Sequence, residues 1–84
     1  MNTSVFDVAV QTELSRVASN IIERKDELGI STERIAYEIG LPVGELQAII
    51  EGDEYPSFTT LVRISRVLYM TMEEVFSKDE SVWE

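Results

Sequence analysis

The sequence predicts an all-α fold, a compact bundle of five helices. Apolar residues recur at steps of three and four along most of the chain, and no segment shows the strict alternation of a half-buried strand. Three of the four glycines come directly after such apolar stretches, where glycine commonly ends a helix. A chain of 84 residues that is 44% hydrophobic has the usual size of one domain and enough apolar material for one core.

The first helix is predicted from an apolar stripe that precedes Gly29. The stripe consists of Val10, Leu14, Val17, Ala18, Ile21, Ile22 and Leu28. Residues 1–13 form an N-terminal extension in this interpretation. Its apolar residues Val5, Phe6, Val8 and Ala9 either lengthen the first helix, pack on a partner subunit, or belong to a frayed terminus.

The second and third helices are predicted to be joined by a tight turn. Ser31 is a good N-cap for the second helix, and the third runs from about Val43 to Glu51, just before Gly52. The link Gly40-Leu41-Pro42 is the short glycine-containing turn that a helix-turn-helix requires. The residues expected to face each other across this pair are Ile35, Ile39, Leu41, Leu46 and Ile49, with the small Ala36 where the backbones approach.

Two further helices and a tail are predicted after the polar loop at residues 53–56. Ser57 is placed to cap the fourth helix, whose apolar stripe is Phe58, Leu61, Ile64, Val67 and Leu68. Thr71 and Glu74 have the spacing of a capping box, which predicts a short fifth helix from about Met72 to Phe76. Residues 77–84 form an acidic tail that is polar apart from Val82 and Trp83.

The composition excludes several kinds of chemistry. The chain has neither Cys nor His, so disulfides, thiolate chemistry, imidazole bases and the commonest zinc sites are ruled out. The carboxylates lie mostly at polar helix positions, so we expect no enzyme, no metal and no cofactor. No signal-like N-terminus and no apolar run of about 20 residues occur, so we expect a cytoplasmic protein with no membrane partner.

Residues 21–76 resemble the helix-turn-helix domain of the Cro and phage-repressor type, also called the xenobiotic-response-element family. The matching segments are STERIA at 31–36, GL at 40–41, IIEG at 49–52, PSF at 56–58 and MTMEEVF at 70–76. The match covers about two thirds of the chain without a gap. It places a domain at residues 14–76 and implies a lambda-repressor-like fold.

The resemblance implies a transcription regulator that binds double-stranded operator DNA as a homodimer. In that family the third helix enters the major groove and the second crosses the backbone. The positions implied for base contact are Thr32, where the family often has glutamine, and Val43, Gly44, Gln47 and Ala48. Gln47 is the best candidate reader, because an amide can donate to and accept from adenine together.

The charge of the chain departs from this pattern. The net charge is −9, whereas proteins that bind nucleic acid usually have a basic face. From residue 31 to residue 60, Arg34 is the only basic residue against six acidic ones, a net charge of −5. The residues considered for phosphate contact are Arg34, Arg63 and Arg66, with Arg24 and Lys25 as further possibilities.

Two functional classes therefore remain open. The first is a regulator that binds DNA as described. The second is an acidic helix-turn-helix scaffold that binds protein and not DNA, as an antagonist of a basic repressor or as a DNA mimic. Val82 and Trp83 either anchor the dimer or fold back onto the chain's own core.

Overall fold

Five α-helices make up the described part of the chain, in agreement with the all-α prediction. The structure is a computed structural model that describes the backbone of residues 5–77 and the side chains of residues 11–77, so Val82 and Trp83 lie outside it. The helices are α1 (Val5–Leu28), α2 (Thr32–Ile39), α3 (Val43–Ile50), α4 (Phe58–Val67) and α5 (Met72–Val75), and residues 5–77 contain no strand. None of these helices has both the length and the apolar run needed to cross a membrane.

Side-chain caps begin three of the helices where the sequence predicts them. The Ser31 and Ser57 hydroxyls accept hydrogen bonds from the amides three residues later, at 3.0 and 3.1 Å. Thr71 and Glu74 form both hydrogen bonds of a capping box. Pro42 precedes α3 without any side-chain cap, so this helix begins with less local support than the others.

Four helices end in the same backbone turn. A left-handed residue lies one position after α1 and α2 and two positions after α3 and α4, and the amide that follows it donates to a carbonyl of the last turn, as from Leu41 to Ala36 at 2.9 Å. Glycine occupies the left-handed position at the ends of α1, α2 and α3, which confirms the three predicted stops at Gly29, Gly40 and Gly52. After α4 that position is Tyr69, with φ 56°, which no sequence signal indicated.

Two side chains of α1 close the ends of α4 and α5. Arg24 donates from Nε to the Leu68 carbonyl at 2.8 Å and from a terminal nitrogen to the Tyr69 carbonyl at 3.1 Å. Asn20 donates from Nδ2 to the carbonyls of Val75 and Ser77, at 2.7 and 2.9 Å. Both donors satisfy carbonyl groups that a helix end leaves without intrahelical partners.

All five helices contribute to one core. Helix α2 packs against α3 and α4, α1 packs against α3 and α5, and α4 also contacts α5. The central buried residues are Val17, Ile21, Ile35, Ala36, Ile39, Leu46, Ile50, Leu61, Ile64, Leu68 and Val75. The predicted contact between α2 and α3 is confirmed, with Leu41 partly buried against the same core.

Among residues 11–77, three members of the predicted apolar stripes are exposed. Phe58 is 69% exposed, and Ile22 and Leu28 are 37% and 38% exposed. Helical spacing places these residues on the apolar side of their helices. Burial also requires another element to cover that side, and the periodicity of a single helix does not show whether one does.

Candidate nucleic-acid interface

The outer face of α3 is open, whereas its inner face is held by two helices. Leu46, Ile49 and Ile50 are buried on the inner side, between α1 and α2. Val43 is 43% exposed, and Gly44 and Gln47 are exposed as well. Three of the residues predicted for base contact therefore share one exposed surface of a short, firmly held helix.

The other two predicted base-contact residues are less exposed. Ala48 is on α3 but partly buried, and Thr32 is the first residue of α2, where it is also partly buried. Both positions offer less surface to a partner than Gln47 does.

Gly44 leaves open space beside the α3 backbone. A Cβ atom at this position would have no atom within 4 Å, and the residue lacks the positive φ that favours glycine. The fold thus does not require glycine here, although glycine costs about 1 kcal/mol relative to alanine in a helix interior. The missing side chain lets another molecule come close to the backbone of α3.

The Gln47 amide is bound to a carboxylate one turn later on the same helix. Gln47 Nε2 donates a hydrogen bond of 2.9 Å to Glu51 Oε2 at the protein surface. Side chains four residues apart are neighbours on a helix, so the spacing alone could have indicated this pair. The sequence predicted Gln47 as a base contact, but the role of Glu51 as its partner was not predicted.

The three predicted phosphate contacts line two adjoining grooves between α2 and α4. Arg34 and Arg66 line a groove of ≈ 470 Å³ that also includes Ser31 and Tyr69. Arg63 and Arg66 line the neighbouring groove of ≈ 280 Å³. We call the three arginines together the α2–α4 arginine strip.

The arginines of the strip differ in their partners. Arg34 Nε forms an ion pair of 2.9 Å with Glu38 Oε2. Arg63 and Arg66 are exposed and form no ion pair with any of the side chains described, at residues 11–77. Their guanidinium groups are therefore the ones most readily available to an external anion.

The two remaining basic candidates are engaged elsewhere. Arg24 binds the carbonyls at the end of α4 and lies 3.4 Å from Glu27, and Lys25 is 3.6 Å from Asp26. Arg24 in particular supports the fold, so it is a poor candidate for phosphate contact.

Exposed carboxylates lie at both ends of α3. Glu45 is exposed in the first turn of α3, and Asp53 and Glu54 are exposed in the loop that follows. In that loop the Tyr55 hydroxyl donates to the Glu13 carboxylate of α1; burial, the charge of Glu13 and this hydrogen bond all raise the pKa of Tyr55. The loop that carries Asp53 and Glu54 is thus tied to α1.

Comparison of the chain with family models, with curated proteins and with solved structures finds no match. Among the residues that the structure describes, no group of three or more acidic side chains could hold a metal ion.

Proposed function

We propose that this chain is a sequence-specific DNA-binding regulator of the Cro and phage-repressor type, with a lambda-repressor-like fold in which α2 and α3 form the helix-turn-helix. The observation that carries the proposal is the position of α3, buried on one face against two helices and open on the other around Gly44 and Gln47. The regulator acts as a homodimer on an operator with two half-sites. Dimer contact through Val82 and Trp83 stays a prediction.

In this function α3 lies in the major groove, which is wide enough to admit a helix. Gln47 reads adenine with its amide, and Val43 contacts a thymine methyl group. The open space at Gly44 supports a close approach between the DNA and the start of α3.

The α2–α4 arginine strip binds phosphates beside this groove. Arg63 and Arg66 supply the main contacts because neither forms an ion pair within residues 11–77, whereas Arg34 must first leave Glu38, which lines both grooves. Each phosphate contact contributes about 0.9 to the slope of log affinity against log salt. Three contacts per protomer predict a weaker salt dependence than that of strongly basic repressors.

A second candidate function is supported by the carboxylates. Arg34 and Gln47, two of the groups that DNA would use, are each bound to a glutamate, and Glu45 and Asp53 are exposed nearby. Such a surface suits a basic protein partner, for instance the DNA-binding face of a repressor that this chain would antagonise.

A titration with duplex DNA at low and moderate salt separates the two functions. The first predicts binding that weakens as salt rises, with sites enriched from a random duplex pool bound more tightly than the pool. The second predicts no binding at either salt concentration.

Two variants test the roles of the residues. Gln47→Ala should relax base preference without changing the salt slope. The double variant Arg63→Gln, Arg66→Gln should weaken binding to all sequences and reduce the slope for the dimer by about 3.6, because each protomer loses two contacts. Arg16→Gln is the matched control, since Arg16 lies on α1 outside both grooves and its loss should leave the slope nearly unchanged.

A further inference from the structure

We infer that Glu51 is a positioning residue that determines which base Gln47 prefers, an inference that rests on the DNA-binding function proposed above. The observation is the hydrogen bond of 2.9 Å from Gln47 Nε2 to Glu51 Oε2. Both residues are exposed, and they lie one turn apart at the C-terminal end of α3.

The contact removes an ambiguity that every glutamine has. An amide turned by half a rotation exchanges its oxygen and nitrogen with almost no change in shape. An ionised carboxylate can only accept hydrogen bonds, so Glu51 is satisfied when Nε2 faces it and repels Oε1. Glu51 therefore selects one of the two amide orientations.

The selected orientation leaves a donor and an acceptor for the DNA. Nε2 has two hydrogens, and in the complex Glu51 holds the one that points away from Oε1. The other N–H and Oε1 then match the major-groove edge of adenine, which presents the N7 acceptor beside the N6 amino donor. Exclusion of water around the bound amide strengthens the bond to Glu51.

The rejected orientation would read a different base. It places an N–H where Oε1 had been, opposite an acceptor such as thymine O4 or guanine O6. Glu51 thus favours adenine by excluding the alternative, while its negative charge lowers affinity for every duplex. It raises selectivity and reduces affinity through the same carboxylate.

The experiment compares Glu51→Gln with a control of equal charge change. Sites enriched from a randomised duplex pool supply the operator, and Kd is measured for it and for its single-base variants. The wild type should prefer adenine by about fivefold or more at one position per half-site. Glu51→Gln should bind every duplex more tightly and reduce that preference to about twofold or less, because the new amide can either donate to or accept from Gln47.

Glu45→Gln is the matched control. Glu45 lies on the same helix and is exposed, but it does not contact Gln47. Its replacement should also tighten binding to every duplex while leaving the adenine preference unchanged. A full adenine preference in Glu51→Gln would overturn the inference and leave DNA binding intact, whereas a wild type that binds no duplex even at low salt would overturn both.

A measurement without DNA tests the contact itself. In the NMR spectrum of the free protein, the two amide protons of Gln47 should be well separated, and Glu51→Ala should bring them towards the values of a solvated glutamine. If this variant leaves the signals unmoved, the orienting contact is absent in solution and the inference is wrong.

Discussion

The α2–α3 pair and the α4–α5 pair close their helix ends in different ways. Helix α2 is capped by Ser31 at its start and by Gly40 at its end, and both residues lie directly next to the helix. The end of α4 is closed by a left-handed Tyr69 and by Arg24, which lies 44 residues earlier than Leu68. The same backbone turn thus depends on neighbouring residues at the end of α2 and on a distant side chain at the end of α4.

This difference indicates that the two halves depend on α1 to different degrees. The α2–α3 pair needs α1 for apolar contact with α3, whereas α4 and α5 also need its Arg24 and Asn20 as hydrogen-bond donors. We therefore expect loss of α1 side chains to loosen α4 and α5 before α2.

Ala36→Leu should disrupt the packing of α2 against α3. Ala36 is 1% exposed in the core beside α3, and a larger side chain there is expected to cost about 1–3 kcal/mol. Thermal unfolding should show a fall in Tm of roughly 4–8 °C for each kcal/mol lost. Tyr37→Leu is the control, because Tyr37 is 83% exposed and should unfold near the wild-type temperature. An unchanged Tm for Ala36→Leu would mean that α2 and α3 do not pack closely at this residue.

Arg24→Met should destabilise the C-terminal end of α4, which is capped by this side chain of α1. The variant keeps an apolar stem but removes the donors to the Leu68 and Tyr69 carbonyls, at an expected cost of about 1–2 kcal/mol. Hydrogen exchange should speed up at the end of α4 and in α5 while α2 keeps its protection. Arg16→Met is the control. If hydrogen exchange sped up equally in all helices, the α2–α3 and α4–α5 pairs would depend on α1 to the same degree, and the expectation would be wrong.

Tyr69→Gly should have the smallest effect, and in the opposite direction. Tyr69 is 77% exposed with φ 56°, so glycine relieves backbone strain and loses little packing. We expect a gain of up to about 1 kcal/mol, measured by urea denaturation. The end of α4 would then be closed locally like that of α2, and Arg24→Met should cost less in this background. A clear loss of stability would show that the tyrosine side chain supports the fold.

Features that depend on neighbouring residues could be predicted from the sequence, whereas features that depend on distant residues could not. The caps at Ser31, Ser57 and Thr71 were predicted correctly, since each is formed within four residues of chain. The closure of α4 was not predicted, because tyrosine carries no signal for a left-handed turn and Arg24 is remote in sequence.

The candidate interface also has parts with local causes and parts that depend on helix packing. The exposed face of α3 follows from helical periodicity, and the pairs Arg34–Glu38 and Gln47–Glu51 follow from a spacing of four residues. The α2–α4 arginine strip could not be derived in this way. Arg34 and Arg66 meet at one groove only because α2 packs against α4.

By itself the sequence determined the number of helices, nearly all of their bounds and the apolar side of each, because these depend on hydrogen bonds and spacing within a few residues. The tertiary structure decided which inward positions are covered, which basic side chains remain available, and how α4 and α5 end. These outcomes depend on which segments come together, and the sequence separation of 44 between Arg24 and Leu68 leaves that unspecified until the core has packed.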